Sequence, residues 1–341
     1  MNDFGYCLAT DPATASAQLG ANGRFIAGGT NLLDLMKENL VRPAQLVDIN
    51  RLPLDRIEVL PDGSFRLGAL VRNAATAYHP AVREQLPLLS TAILAGASPQ
   101  IRNMASNGGN LLQRTRCYYF YDAGVPCNKR VPGSGCPAME GLARQHAILG
   151  ASGHCIATHP SDMCVALAAL GATVHVRSPH GERDIPMADF HRLPGDTPQL
   201  DTNLAPDELI EYISIPPSQQ YAAHSVYLKL RERASYAFAL VSVAAALDIG
   251  ADGRIRSARL ALGGVAHKPW RDPQAEALLA GQAVDRATFE RAAALVLQNA
   301  QPQGTGLGSN AFKIPLARRA IVRALETAAR GTVTNTGDNL Q

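Results

Sequence analysis

Two glycine-bearing stretches set the tightest limits on how this chain can fold: Ala27-Gly28-Gly29-Thr30-Asn31-Leu32 and Ile101-Arg102-Asn103-Met104-Ala105-Ser106-Asn107-Gly108-Gly109-Asn110-Leu111. The first follows Arg24-Phe25-Ile26-Ala27, a short apolar run that reads as a strand. Thr30 is a good N-cap for a helix whose apolar positions Leu32, Leu33, Leu35, Met36 and Leu40 recur at helical spacing, and Pro43 ends it. Leu46-Val47-Asp48-Ile49 reads as the next strand. A strand–helix–strand unit this short requires a parallel pair with a right-handed crossover, so residues 1–55 are expected to form a small α/β unit. Free amides at such a turn, with the positive end of a helix dipole behind them, suit a phosphate. The pattern is neither G-x-G-x-x-G nor a Walker loop, and taken alone a plain tight turn explains it better.

The chain continues differently. Arg56–Leu60 and Ser64–Gly68 flank Pro61-Asp62-Gly63, a hairpin signal. Leu86–Ala95 reads as an apolar helix ending at Gly96, and Ser161–Leu170 as another ending at Gly171. Thr173–Val176 and Arg183–Ile185 form a second hairpin around Pro179-His180-Gly181. Hairpins alternating with helices predict an α+β unit over 56–220, closed by the linker Pro216-Pro217-Ser218-Gln219-Gln220. Beyond it, His224–Leu230, Phe238–Ile249 and Arg254–Leu262 read as three strands, followed by helices at Pro273–Ala280, Arg286–Gln298 and Pro315–Arg330. This makes 221–331 a third unit, with a flexible polar tail over 332–341.

Bulk properties exclude several roles. At 341 residues with 46% hydrophobic and 18% charged side chains, the chain is long enough for two or three packed domains. A net charge of +3 with no basic run argues against nucleic acid. No apolar stretch is long enough to span a membrane, and the N-terminal residues lack the basic-then-apolar pattern of a secretory leader. Metal ligation or burial therefore explains the six cysteines better than a disulfide framework.

Around the second glycine stretch, Ser106 and Asn110 offer hydrogen bonds, while Arg102 and Asn103 read as internal struts. Asp162 at a helix start suits either an N-cap box or acceptance from a sugar hydroxyl. Four cysteines, Cys117, Cys127, Cys136 and Cys155, fall between Arg114 and Ile156 in the spacing C-x9-C-x8-C-x18-C. That spacing matches no ferredoxin run; four thiolates suit a [4Fe–4S] cluster or a structural zinc, with disulfides the remaining reading. Arg114, Arg116, Lys129, Arg130 and Arg144, against only Asp122 and Glu140, can offset the negative charge of either metal group. Cys7 and Cys164 read as buried structural thiols, and Tyr118-Tyr119-Phe120-Tyr121 as a small shielding core. Gly304, Gly306 and Gly308 follow no strand and read as loop, and neither His154 nor His159 is assigned as a ligand.

The two glycine stretches, Ser161-Asp162 and the later Leu262-Gly263-Gly264-Val265-Ala266 together resemble the FAD-binding medium subunit of the molybdenum hydroxylases, over nearly the whole chain and in order. That family includes xanthine dehydrogenase, carbon monoxide dehydrogenase and bacterial aldehyde oxidoreductases. The resemblance implies an α+β architecture: a two-part FAD-binding domain of the vanillyl-alcohol oxidase type, then a C-terminal three-stranded sheet with helices. It implies FAD contacts at Ile26, Ala27, Gly28, Gly29, Thr30, Asn31, Leu32, Leu33, Ser106, Gly109, Asn110, Asp162 and Lys229, with Leu204 a weaker carry-over. The segment 114–156 is extra relative to simpler members and resembles the iron–sulfur insertion of the periplasmic aldehyde oxidoreductase and of 4-hydroxybenzoyl-CoA reductase. This implies a [4Fe–4S] cluster on Cys117, Cys127, Cys136 and Cys155.

No residue pair suggests a catalytic centre of the chain's own. The implied role is electron transfer in a three-subunit oxidoreductase. A large molybdenum-cofactor subunit would oxidise an aldehyde, and a small subunit with two [2Fe–2S] centres would pass electrons through FAD to an external acceptor. A xanthine dehydrogenase, an aryl-CoA reductase, a free-standing FAD oxidoreductase and a zinc-stapled binding protein are the alternatives. The expected location is cytoplasmic, or periplasmic by export alongside a signal-bearing partner.

Overall fold

The computed structural model describes residues 1–20 and 22–332. The N-terminal unit is a parallel sheet of three strands, β1 (Gly5–Leu8), β2 (Gly23–Ile26) and β3 (Gln45–Asp48), with β3 in the middle. The strand–helix–strand expectation holds for β2 and β3. The extra strand β1 is four residues long and half exposed, so it carries no apolar alternation to read. The helix between β2 and β3 spans only Leu32–Lys37, with Asn31 rather than Thr30 at its N-cap. Asn39 adopts a positive φ of 57° and turns the chain before Leu40, so the last apolar position leaves the helix.

The second unit is an antiparallel sheet in the order β4 (Ile57–Val59), β5 (Phe65–Gly68), β8 (Leu209–Ile215), β6 (Thr173–Ser178), β7 (Gly181–Pro186). Both expected hairpins are present. What local pattern does not show is that β8 inserts between them, pairing Phe65 with Ile215 and Val174 with Ile213. The Pro87–Ala95 and Asp162–Leu170 helices cover this sheet, and every residue of the latter is buried. Gly171 ends that helix in the left-handed region, φ 69°, where glycine is unstrained.

The third unit has four strands where three were expected: β9 (Ser225–Leu230), β10 (Val241–Ile249), β11 (Ile255–Gly263) and the two-residue β12 (Trp270–Arg271). Strand β10 is buried on both faces, and its alternation assigns them. Val241, Val243, Ala245 and Leu247 join the core under the Arg286–Val296 and Lys313–Arg330 helices, while Ala244 and Ala246 join the core of the second unit. Small side chains on that second face let the Asp162–Leu170 helix approach closely, so the two units share one apolar seam. Of the expected tail 332–341, only Thr332 falls within the described residues; its amide donates to the Ala223 carbonyl at 2.8 Å.

The segment 114–156 contains one helical turn, Tyr118–Tyr121, one 3-10 turn, Pro137–Met139, and otherwise irregular chain. Phe120 is buried with Leu35 and Cys127, and Tyr119 packs beside Cys136 in a separate small cluster, so the aromatic run is only partly the core expected of it, and Tyr118 is exposed. The C-terminal unit braces the second half of the segment through main-chain bonds from Ala143 to Gly308 and from Ile148 and Leu149 to Val265.

Candidate functional site

The two glycines of the first turn answer different constraints. Gly29 has φ 69°, a left-handed conformation that other residues adopt at a cost. Gly28 instead permits a close approach, because a Cβ there would lie 1.9 Å from the Met104 carbonyl oxygen. Arg72 closes the same joint by donating Nη1–H to that oxygen at 2.7 Å. Past this joint the amides of Gly28, Gly29, Thr30 and Asn31 donate to no acceptor among the described residues. Four free donors in a row make a surface suited to an anion.

The glycine part of the second stretch is a short helix, Asn107–Leu111, after the Pro99–Met104 helix, and its amides are already engaged. Asn107 donates to Val71, Gly108 to Ala69, Gly109 to the Ser106 hydroxyl and Asn110 to the Ser106 carbonyl. The Asn110 side chain accepts from Ser161 at 2.5 Å and donates to Asn73 at 2.7 Å, so it positions its neighbours. Asn107 is the buried strut, bonded to Asn73 and Thr76, whereas Asn103 is exposed; of the two residues read as struts, only Arg102 is one, reaching the Gly96 carbonyl at 2.6 Å. Gly109 is exposed, and a Cβ there would meet only the Ser106 hydroxyl at 3.0 Å.

Two cavities meet at these stretches. The first, of about 410 Å³, is lined by residues 26–32, Ser106, Gly109 and Leu204. The second, of about 250 Å³, is lined by Asn110, Asp162, Lys229 and the exposed aromatics Tyr236 and Phe238. Thr30, Asn31, Gly109 and Gln113 border both, so the cavities form one bent cleft with the free amides of Thr30 and Asn31 at its elbow and those of Gly28 and Gly29 in the larger arm. Leu33 is absent from both walls and packs against Gly29 instead. Tyr236 and Phe238 carry no spacing signal in a strand-to-strand loop, which is why sequence reasoning missed them.

Asp162 and Lys229 form a buried ion pair, Nζ to Oδ2 at 2.8 Å, with 8% and 5% of their side chains exposed. Tyr227 donates to the other Asp162 oxygen at 2.7 Å, and Lys229 also reaches the Ala95 carbonyl at 3.0 Å. The pair therefore ties β9 to the Asp162–Leu170 helix while facing the cleft.

Cys117, Cys127, Cys136 and Cys155, residues far apart in the chain, line one small cavity, and all six cysteines are free thiols. Burial pushes the Cys117 thiol up to about 12 and Cys155 up to about 11, with the Lys129 ammonium pulling the latter back. Among the described residues, no three of these sulfurs lie mutually within 4.8 Å. The charge reading from composition is corrected here. Arg114 pairs with Asp201, Arg116 with Asp34, Arg144 with Glu232, and Arg130 donates to main-chain carbonyls. Only Lys129 of the five lines the thiol cavity, and it too bonds Asp201. His146, which sequence reasoning did not single out, lies with Nε2 3.1 Å from the Cys117 sulfur. Burial holds its imidazole down to about 4. Cys164 is fully buried as expected, but Cys7 is only partly so.

Residues 2–218 match the model of the FAD binding domain in molybdopterin dehydrogenase, and residues 226–328 that of the CO dehydrogenase flavoprotein C-terminal domain. The chain is 50% identical to the aldehyde oxidoreductase FAD-binding subunit PaoB of Escherichia coli (strain K12), over 96% of this chain and 99% of that protein. Among solved structures, carbon monoxide dehydrogenase from Hydrogenophaga pseudoflava superposes with a TM-score of 0.75 at 25% identity, covering 97% of this chain and 99% of that one. Quinoline 2-oxidoreductase from Pseudomonas putida 86 gives 0.73 at 26% identity, covering 96% and 98%. With a glycine-walled cleft lined by the parallel and antiparallel units, a third unit packed on the second, and both halves matched in order, the chain belongs to the FAD-binding medium subunits of the molybdenum hydroxylases.

Proposed function

We propose that this chain holds FAD along the bent cleft and a [4Fe–4S] cluster on Cys117, Cys127, Cys136 and Cys155, as the electron-transfer subunit of an aldehyde-oxidising complex. The observation that carries the flavin reading is the elbow shared by the two cavities, bordered by the unengaged amides of Thr30 and Asn31 and by the bare Gly109 surface, with those of Gly28 and Gly29 in the larger cavity. A diphosphate fits that elbow, the adenosine end fits the larger cavity, and the ring fits the cavity bounded by Tyr236 and Phe238. Gly28, Gly29, Thr30 and Asn31 donate to the phosphates. Gly109 leaves room for them, and Ser106 and Asn110 hold its helix in place. Lys229 and Asp162 line the ring end as a neutral ion pair, a fixed dipole rather than a free charge. When bound, the flavin takes electrons singly and delivers them in pairs, and the protein's part is to place it and set its surroundings.

Four cysteines and no carboxylate line the thiol cavity, which supports a thiolate-held metal group there, and the likeness of 114–156 to an iron–sulfur insertion supports four irons over zinc. The likeness to an aldehyde oxidoreductase subunit supports the aldehyde substrate, a large molybdenum-cofactor partner and a small [2Fe–2S] partner.

The test is a visible spectrum, acid precipitation and metal count on the purified chain, with and without its co-expressed partners. We expect FAD released completely into the acid supernatant, since no cysteine or histidine lies in either glycine stretch to link it. We expect close to four irons per chain and a reduced four-iron signal by electron paramagnetic resonance after dithionite. A flavin-free chain would overturn the first assignment, and zinc without iron the second. Oxidation of substrate by the isolated chain would overturn the subunit role.

A further inference from the structure

Away from the four-thiol cavity lies a second group of metal-ligating side chains. His159 precedes the Asp162–Leu170 helix, Cys164 lies in its first turn, and His191 follows the Met187–Phe190 turn. One nitrogen or sulfur from each falls within 4.8 Å of the other two, and the residues are only 8%, 0% and 2% exposed. The two imidazole rings are 4.1 Å apart, centre to centre.

The hydrogen-bond accounting shows why this group is unlike an ordinary buried histidine pair. His191 donates Nε2–H to the Leu111 carbonyl at 2.8 Å, which leaves Nδ1 as a bare lone pair. That Nδ1 is buried and unpartnered, and so is Nε2 of His159. His191 Nδ1 is thus a buried acceptor without a partner, and a ring nitrogen of each histidine lies within 4.8 Å of the Cys164 sulfur. An imidazole that donates one N–H to a backbone carbonyl and keeps its other nitrogen free is the form that ligates metals. His267 lies beyond His159 with both ring nitrogens buried and unpartnered, so a further nitrogen donor is at hand.

We propose that His159, Cys164 and His191 bind one thiophilic d10 cation, Zn²⁺ or Cu⁺. Two imidazoles and a thiolate are the donors such ions select over the carboxylates preferred by Mg²⁺ or Ca²⁺. On binding, the Cys164 S–H bond is replaced by a sulfur–metal bond and the proton leaves to solvent. The metal links the helix that begins at Asp162, through His191, to the Leu111 end of the Asn107–Leu111 helix. It thereby clamps two walls of the cleft from beneath.

The test uses the full chain with its native metal content, treated with a mild chelator and then titrated anaerobically with Zn²⁺ alone or Cu⁺ alone. We expect one equivalent bound by native mass spectrometry and about one proton released per metal. X-ray absorption should show a shell of two or three nitrogens and one sulfur. Cys164→Ser and His191→Gln should each weaken binding at least tenfold, whereas Cys7→Ser should leave it unchanged. The absorption measurement needs no variant, so poorly folding substitutions do not blunt the test. Failure to take up either metal, a four-sulfur shell alone, or full uptake by both variants would overturn the proposal.

Discussion

At the scale of single residues, the two glycine positions divide by what a side chain would meet. Valine at Gly109 projects into the cleft, so Gly109→Val should remove FAD, leaving under a tenth of the flavin per chain, with the melting temperature of the stripped protein little changed. Gly28→Val collides with the Met104 carbonyl, and a clash in a packed joint costs about 1–3 kcal/mol, so that variant should melt earlier even without flavin. Flavin-to-protein ratio and apoprotein melting, measured on both, separate the two cases; equal behaviour would contradict the assignment. Lys229→Met tests the buried pair. It strands Asp162 without its cation, and breaking such a pair costs about 3–5 kcal/mol, visible as a shift in the urea midpoint. Fully retained stability would mean that water reaches Asp162.

Among elements, the insertion is the least regular and the most instructive. Its glycine and proline content suggests that only the bound cluster holds it. The hydrogen bonds divide it in two. Residues 117–136 rely on the thiols, a small aromatic core and the outside anchor of Lys129, whose Nζ reaches the Pro198 carbonyl at 2.7 Å and Asp201, whereas 143–149 are anchored to Gly308 and Val265 and by Lys313, whose Nζ donates to the His146 carbonyl at 2.7 Å and to Gly264 at 2.6 Å. A Cys127→Ser variant should therefore lose iron and expose 117–136 to hydrogen exchange, while 143–149 stay protected. Cys7→Ser should change neither. Uniform loosening across the insertion would show that the bracing by the C-terminal unit is weak.

For the whole molecule, buried neutral imidazoles make stability depend on acidity. Burial holds His146 down to about 4 and His267 down to about 3, against an ordinary value near 6.5. Between those values the unfolded chain binds protons that the folded chain refuses, so stability is full above pH 6.5 and falls as the pH drops toward 4. Each imidazole contributes a slope of about 1.4 kcal/mol per pH unit in that window. Urea unfolding at pH 7, 6 and 5 should show a steepening loss, and a flat profile would mean these rings protonate in place. The β10 strand, the capped Asp162 helix and both hairpins were legible in the sequence, because strand and helix signals act within a few residues. The insertion of β8 between the hairpins, the pairing of Arg114 and Lys129 with Asp201, and the meeting of His159, Cys164 and His191 were not. Those contacts join residues distant in the chain, and side-chain type carries no address for such a partner. Residue types alone determined that glycine turns and thiols would be available for chemistry; which amides stayed free, and which charges were already neutralised, only the packed chain decided, because burial forces every polar group to find its partner in space rather than along the chain.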